Sequence, residues 1–329
     1  MEGGRFDRFS QSVASAMSRR SVTGAIAALA AGVLSAGAGL NAPSPAGAKA
    51  KKKECSSGKQ CPDPANECLR AVCQKHTCKR KKQPNGTECG DGGQCRVGNC
   101  VCPRGVCTVT VRPSRLQGWT FYNDQADQPI DPSFEIGPES PPLGVGSAQL
   151  LVEDSTQGKL LAANILTGTP LSALATLEYS FYVTNATSDT GPSLQLGIDF
   201  DLTDDQEGFQ GRMVYVPSAT AAVPEGEWIT VDVLADNDGG NWFFTRQASS
   251  GGKCPLSDPC NFSEILADFP NIGIHPVGPQ GTGAGFGFIG FKVGSGEGAV
   301  DANVDSLRLK LDGTGQNTFV YNFEPDLRR

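Results

Sequence analysis

The chain has 329 residues, of which 38% are hydrophobic and 7% aromatic, and its net charge is −7 at neutral pH. This length predicts about two domains, and the 41 glycines and 22 prolines favour an all-β chain with many turns over a helical one. Only two histidines occur, with no G-x-S-x-G or H-E-x-x-H motif, so the sequence argues against the common hydrolase classes and predicts no enzyme activity.

Residues 1–48 have the pattern of an export signal. A polar region ends at Ser18–Ser21, an apolar stretch follows over 25–40, and Ala46–Ala48 provides small residues for cleavage. The adjacent arginines of the first of these segments resemble a bacterial twin-arginine signal. A membrane anchor is the alternative, but the apolar stretch is rich in Ala and Gly and short for a bilayer. We therefore expect a secreted or cell-surface protein that begins near Lys49 and has no membrane span.

Residues 49–108 form a predicted cysteine-rich module. It holds ten of the twelve cysteines, and it lacks the C-x2-C spacing on which zinc ribbons and iron–sulfur clusters depend. In an exported protein the even number predicts five disulfides, whose pairing stays open. The cysteines of the module are Cys55, Cys61, Cys68, Cys73, Cys78, Cys89, Cys95, Cys100, Cys102 and Cys107.

Charge is divided unevenly along the chain. Residues 49–107 contain 13 Lys and Arg against 5 Asp and Glu, whereas residues 108–329 contain 11 against 28. The basic runs are Lys51–Lys53 and Lys79–Lys82. Such runs are typical of a solvated surface, and the functional alternative is attraction to an anionic wall polymer. Nucleic acid is not an expected partner of an exported protein.

Part of the module resembles a known type of extracellular sequence. The segment Pro84–Cys100 has the Gly-Thr-x-Cys-Gly and Gly-x-Cys rhythm of the cysteine-rich repeats found in disintegrin-type modules. The resemblance implies an extracellular, non-enzymatic spacer or recognition module. Because the module of residues 49–108 has few apolar residues, we expect it to depend on cross-links for its fold.

Residues 109–329 form a predicted acidic β-sandwich. Short runs of alternating apolar and polar residues recur between stretches rich in Gly, Pro, Asn and Asp. Each run has one apolar face, which is what two stacked antiparallel sheets require. The clearest runs cover 177–183, 194–200, 229–233, 307–311 and 319–323.

Two local features interrupt the strands. A short helix is predicted with Ser263 as its N-cap and Pro270 as its stop. Upstream of it, Cys254 and Cys260 are spaced for a local disulfide, with two free thiols as the alternative.

Two segments resemble jelly-roll carbohydrate-binding modules and galactose-binding-like domains. Gly226–Asp232 has their Gly-x-Trp strand, and Asn303–Leu309 has their apolar-Asp-x-Leu-x-Leu closing strand. The resemblance implies an antiparallel jelly-roll sandwich, stabilised by calcium, that holds glycans without cleaving them. Asp305 matches the acid of the closing strand. The chain departs from the pattern in a further strand over 318–323.

Aromatic residues supply the candidate carbohydrate site, because the C–H face of a sugar ring packs well on an aromatic plane. The candidates are Trp119, Tyr122, Trp228 and Trp242, and core packing is the alternative for each.

Acidic residues supply the candidate metal site, because calcium takes several oxygen ligands from a flexible loop. The candidates are Asp199, Asp201, Asp204 and Asp305. The loop does not match an EF-hand, since Asp204 stands where the invariant glycine belongs.

Three hypotheses about function follow. The first is a secreted or cell-surface glycan-binding protein that acts through the sandwich. The second is a structural or adhesive protein whose basic module attaches to anionic wall polymers. The third is a glycosidase, which would need two carboxylates about 5–9 Å apart across one cleft.

Overall fold

The computed structural model describes residues 55–57, 68–89, 93–97, 99–102, 105–188, 190–220, 222–279, 283–312 and 317–327. The predicted export signal and the first basic run lie outside the described residues. No helix in the described part of the chain is long and apolar enough to cross a membrane.

The described residues form twenty strands, one α-helix and two short 3-10 helices. The strands are β1 (Leu69–Gln74), β2 (Thr77–Lys82), β3 (Glu88–Cys89), β4 (Gly93–Arg96), β5 (Asn99–Val101), β6 (Val106–Val111), β7 (Trp119–Asn123), β8 (Gln128–Ile130), β9 (Phe134–Ile136), β10 (Gly146–Val152), β11 (Gly158–Ala163), β12 (Leu174–Ala186), β13 (Ser193–Asp199), β14 (Arg212–Tyr215), β15 (Trp228–Asp232), β16 (Trp242–Phe244), β17 (Gly273–Ile274), β18 (Ile289–Gly294), β19 (Val300–Leu311) and β20 (Thr318–Phe323). The helices are α1 (Phe262–Asp268) and the 3-10 helices Leu171–Ala173 and Pro217–Ala219.

Two large sheets build the sandwich. In the first, of seven strands, β15, β12 and β19 lie side by side, and the other edge of β19 pairs with β10 and then with β20. β9 extends this sheet beyond β10, and β6 extends it beyond β20. The second sheet, of eight strands, has the order β16-β14-β13-β18-β11-β7-β8, with β17 paired to the end of β13.

The core lies between the two sheets. Tyr179 of the first sheet lies 5.2 Å from Phe291 of the second, measured between ring centroids. Trp119 of the second sheet contacts Tyr321 and Phe323 of the first, with centroids 5.6 Å and 5.2 Å apart. The predicted all-β sandwich is thereby confirmed, while jelly-roll connectivity stays a prediction.

Alternation along the strands decides which side chains enter this core. In β12 the inward residues Leu177, Tyr179, Phe181 and Val183 are all buried in one cluster with residues of the other sheet. Their side chains point to one face because successive residues of a strand alternate between faces. The apolar period of two in the sequence therefore corresponds to the inner face of the sheet.

The predicted boundary between module and sandwich, after residue 108, falls inside a strand. β6 pairs in parallel with β20, so the first sheet already begins within the cysteine-rich sequence. Cys107 in β6 forms a disulfide with Cys102. Cys107 therefore belongs to an edge strand of the sandwich, and its disulfide connects that strand to Cys102, which directly follows β5.

The module itself contains two small sheets, β1-β2 and β3-β4-β5. Cys55–Cys73 and Cys68–Cys95 are disulfides, and no described cysteine is free. Within the described residues, the only buried cluster of the module consists of Cys68, Cys89 and Cys95. Its interior is therefore formed by disulfide-bonded cysteines rather than by aliphatic or aromatic side chains. Cys61 lies outside the described residues.

The predicted helix is present as α1, but its N-cap is not the predicted one. Asn261 is the N-cap, and its backbone N–H donates to Glu264 Oε2 at 2.7 Å, as in a capping box. Ser263 lies inside the first turn and donates its hydroxyl to Asp236 Oδ2 at 2.6 Å. The predicted disulfide Cys254–Cys260 is confirmed.

Candidate functional site

Two of the four candidate carbohydrate-binding residues are core residues. Trp119 and Trp242 are each 1% exposed. Trp119 stacks on Phe291 with centroids 5.8 Å apart, and the Trp242 indole N–H donates to the carbonyl of Val233 at 2.8 Å. Neither indole offers a face to a ligand, because both side chains lie on the inner faces of their strands and belong to the core between the sheets.

The other two aromatic candidates lie outside the main core. Tyr122 is buried on the outer face of the second sheet, in a small apolar cluster that includes Leu160 and Phe288. Trp228 is half-buried on β15, the edge strand of the first sheet, where its indole N–H donates to the carbonyl of Pro138 at 3.0 Å. The four predicted residues are therefore not brought together into one platform.

The acidic loop is organised by local hydrogen bonds. Asp201 Oδ1 accepts from the N–H and the hydroxyl of Thr203 at 3.0 Å and 2.6 Å, and Asp204 Oδ1 accepts from the N–H of Gln206 at 2.8 Å. The buried Asp199 accepts from the side chain of Gln210 at 2.9 Å. The contacts of Asp201 and Asp204 are turn-forming, because each aspartate holds a residue two positions ahead, whereas the Asp199 contact joins two side chains eleven residues apart.

The described residues contain no group of three carboxylates close enough to share an ion. Among the residues that the structure describes, the only group of three metal-ligating side chains that lie together is Cys68, Cys89 and Cys95. All three of these cysteines are disulfide-bonded, so they lack the thiolates that a metal needs. The structure therefore gives no support to the predicted calcium ligands Asp199, Asp201, Asp204 and Asp305.

Asp305 is a buried residue whose carboxyl group connects two segments of the sandwich. Its carboxyl group accepts backbone N–H groups from Leu143 at 2.9 Å and Phe323 at 3.0 Å. Burial raises the pKa of Asp305 to about 7, although these N–H donors act to lower it. The side chain ties the loop before β10 to the end of β20, which is why an acid stands at this point of the closing strand.

The outer face of the second sheet carries a cleft of about 630 Å³. Its floor consists of the side chains that alternate with core residues along three neighbouring strands. Gln195 stands between two core leucines of β13, Arg212 precedes the core residue Met213 in β14, and Lys292 stands between two core residues of β18. The pleat that sends the apolar residues inward thus presents three polar side chains outward.

Aromatic side chains form the walls of the cleft. Phe243 of β16 lies beside the floor, and Phe209 and Phe286 pair at one end with centroids 5.7 Å apart. Phe209 is 36% exposed. The cleft therefore offers apolar ring surface next to polar groups.

An ion network lies across the floor. Arg212 Nη1 is 2.8 Å from Asp124 Oδ1, and Lys292 Nζ is 3.8 Å from Asp124 Oδ2. Burial by itself would raise the pKa of Asp124, but the two cations outweigh it and hold that pKa below its ordinary value. Asp124 therefore remains charged at neutral pH, and it fixes the position of both cations.

Further hydrogen bonds orient the floor. Arg212 Nη1 also donates to Gln195 Oε1 at 3.0 Å, and the Gln195 amide donates to Ser193 Oγ at 3.3 Å. The guanidinium of Arg212 lies over the ring of Phe288, 5.2 Å from its centroid. Because its neighbours fix each group, the floor is preorganised for a polar ligand.

Two more carboxyl groups line the cleft. Asp127 Oδ1 accepts the N–H of Ala284 at 3.3 Å, and Glu297 Oε2 accepts the N–H of Gly294 at 3.1 Å. Burial raises the pKa of Glu297. Both groups take part in holding the loops that border the cleft.

The sequence prediction did not include Gln195, Arg212 or Lys292 in a site. The feature of the sequence that could have indicated them is their position, since each is a polar residue next to a core residue of a strand. That pattern also describes any solvated sheet surface, so it does not separate a cleft from an ordinary outer face.

Comparison with protein-family models, with curated proteins and with solved structures finds no match to this chain. The function is therefore argued from the geometry of the cleft and from the charge of the module.

Proposed function

We propose that the protein is a non-enzymatic glycan-binding protein whose ligand occupies the outer cleft of the second sheet. The observation that carries the proposal is the combination of fixed hydrogen-bonding groups, from Gln195, Arg212 and Asp124, with the aromatic wall of Phe209 and Phe286 in one cleft of about 630 Å³. This volume lies within the range of about 300–1,000 Å³ that is usual for small-ligand sites.

A sugar ring has the chemistry that such a cleft accommodates. Its C–H face packs on an aromatic plane, and its hydroxyl edge exchanges hydrogen bonds with amide, guanidinium and carboxylate groups. The network of Asp124, Arg212 and Lys292 leaves little net charge at the floor, because one carboxylate lies between two cations and further carboxyl groups border them. We therefore expect a ligand recognised mainly by hydroxyl groups.

The disulfides support a location outside the reducing cytoplasm. Cys55–Cys73, Cys68–Cys95, Cys102–Cys107 and Cys254–Cys260 are formed, and such bonds persist in oxidising compartments. Glycans of cell surfaces and matrices are abundant in such compartments. A secreted or surface-attached binding protein is the proposal that this setting favours.

The test is a glycan array probed with the oxidised full chain, followed by calorimetry on each ligand found. Phe209→Ala removes an exposed wall, and Gln195→Ala removes a hydrogen-bonding group of the floor. Each variant is expected to bind about tenfold more weakly, which corresponds to roughly 1.4 kcal/mol. The matched control is Arg308→Ala, which removes an exposed side chain from the first sheet.

Thermal unfolding of each variant shows whether a variant that binds more weakly is still folded. A folded chain that binds no glycan on the array would refute the proposal, and so would cleft variants that bind as tightly as the Arg308→Ala control. Bound oligosaccharides should be recovered uncleaved, whereas cleavage that the cleft variants abolish would favour the glycosidase hypothesis.

A further inference from the structure

We propose that the hairpin of β1 and β2, here called the basic ribbon (residues 69–82), is a second binding surface that takes a linear anionic polysaccharide. The repeating unit of this ligand would carry carboxylate, sulfate or phosphate groups. The inference does not depend on the cleft, since it rests on a different part of the chain and on a different kind of interaction.

The first observation is the amount of unpaired positive charge. The ribbon has six cationic side chains within 14 residues, it has no Asp or Glu, and all six cations are exposed. Among the described residues, none of the six takes part in a salt bridge. They are Arg70, Lys75, Lys79, Arg80, Lys81 and Lys82.

The second observation is that the pairing of the strands concentrates like charges. Arg70 stands directly opposite Lys81, and Lys79 is two residues from Lys81 on the same strand, so these three side chains share one face. Like charges placed directly opposite each other destabilise a sheet. Within the described part of the chain no salt bridge on this face offsets that cost, and a bound polyanion would.

The spacing on this face suits a repeating polymer. Directly opposed side chains have Cβ atoms about 5 Å apart, and residues two apart on a strand are separated by roughly 7 Å. Arg80 and Lys82 form a similar pair on the opposite face of the ribbon. The ribbon thus presents a row of cations along its length rather than a single anion-binding point.

The third observation is that the ribbon is held in place. Its two-residue turn, Lys75-His76, has φ angles of 53° and 61°, the left-handed combination that tight hairpins require. The Cys55–Cys73 disulfide anchors β1 beside this turn, and the Cys78 side chain anchors β2 through another disulfide. The His76 ring nitrogen Nδ1 donates to the carbonyl of Cys55 at 3.2 Å. A fixed backbone lowers the entropy cost of binding.

The composition of the ribbon favours a polysaccharide over a nucleic acid. Residues 69–82 contain no Phe, Tyr or Trp. Sites for single-stranded nucleic acids rely on stacking between bases and aromatic side chains, which this ribbon cannot provide. Its disulfides also point to compartments outside the reducing cytoplasm, where nucleic acids are unusual partners.

The experiment measures binding of the oxidised full chain to a sulfated, a uronate and a phosphate polymer, with neutral dextran as the reference and with duplex DNA in a separate arm. The double variant Lys79→Gln/Lys81→Gln removes two cations from one face of the ribbon. The matched control, Lys253→Gln/Arg308→Gln, removes two exposed cations from the sandwich.

We expect at least one anionic polymer to bind, with affinity that falls as salt rises because bound counterions are released. The ribbon variant should bind at least tenfold more weakly and lower the slope of log K against log salt by roughly 2, while the control stays near wild type. Phe209→Ala should leave polyanion binding unchanged, so this outcome is distinguishable from failure of the cleft proposal.

Three results would overturn the inference. The chain could bind no anionic polymer more tightly than dextran at low salt. The ribbon variant and the control could weaken binding equally, which would assign the effect to overall charge. Binding to DNA without binding to any of the polysaccharides would assign the ribbon to a different partner.

Discussion

The module and the sandwich are both built of β-strands, yet they are held together by different interactions. In the module the buried cluster is Cys68, Cys89 and Cys95, whereas the sandwich buries a large set of aromatic and aliphatic side chains around Phe291 and Tyr179. A segment this small cannot bury enough apolar surface to fold, so covalent cross-links replace the core. The comparison shows two solutions to the same stability problem within one chain.

The two regions also use charge differently. In the cleft of the sandwich, Arg212 and Lys292 share the carboxylate of Asp124. On the basic ribbon, no described salt bridge involves any of the cations. Paired cations hold hydrogen-bonding groups in fixed positions, whereas exposed cations outside salt bridges attract an anionic polymer over a longer range. We therefore expect specific binding from the cleft and salt-dependent binding from the ribbon.

The largest expected effect is the response of the two regions to reduction. A reducing agent should unfold the module while the sandwich stays folded, because each native disulfide of a small domain contributes about 2–5 kcal/mol. Hydrogen exchange of the full chain with and without reductant measures this, region by region. Simultaneous loss of protection in both regions would show that the sandwich depends on the module or on its own Cys254–Cys260 disulfide.

The next effect probes the apolar core directly. Phe291→Ala should lower the free energy of unfolding of the sandwich by about 3–5 kcal/mol, because it leaves a cavity at the centre of the aromatic cluster. Leu151→Ala is the control, since Leu151 is 44% exposed on the outer face of β10, opposite the core residue Leu150. Urea unfolding compares the two variants. Equal losses would contradict the assignment of Phe291 to the core.

A third test concerns the buried carboxyl group of the sandwich. Since the folded-state pKa of Asp305 is about 7, above the ordinary value of about 3.9, the folded chain retains a proton that the unfolded chain gives up between these values. The stabilising contribution of Asp305 is therefore complete below about pH 4 and is lost as the pH rises through 7, by roughly 2–4 kcal/mol in total.

Urea unfolding of wild type and Asp305→Asn between pH 4.5 and 8 measures this contribution. The stability of the wild type relative to the variant should decrease as the pH rises, because asparagine does not titrate. A difference that stays constant over this range would contradict the raised pKa.

The smallest expected effect lies in the turn of the basic ribbon. Lys75 has a φ of 53°, a left-handed conformation in which asparagine is favoured over lysine. Lys75→Asn should stabilise the ribbon by about 0.5 kcal/mol, whereas Lys79→Asn, in the middle of β2, should destabilise it because asparagine is disfavoured in strands. Hydrogen exchange of the ribbon amides detects both changes. Equal signs for the two variants would contradict the turn geometry.

The sequence by itself determined the local properties of this protein. The period of two in 177–183 placed the inward face of β12, and the spacing of Cys254 and Cys260 predicted their disulfide. These predictions depend only on the alternation of side chains along a strand and on the reach of a short loop. The same reasoning placed the helix α1 but chose the wrong cap, because Ser263 and Asn261 are both good N-cap residues and only their contacts distinguish them.

Only the tertiary structure decided which side chains enter the core and which meet in the cleft. Trp119 and Trp242 entered the core because their strands direct them inward, a choice that the identity of an aromatic residue does not reveal. The cleft combines Asp124, Gln195 and Lys292, which lie far apart in sequence and meet because the order of strands in the second sheet places β7, β13 and β18 near one another. Pairing between distant strands depends on the packing of both sheets at once, so no local pattern specifies it.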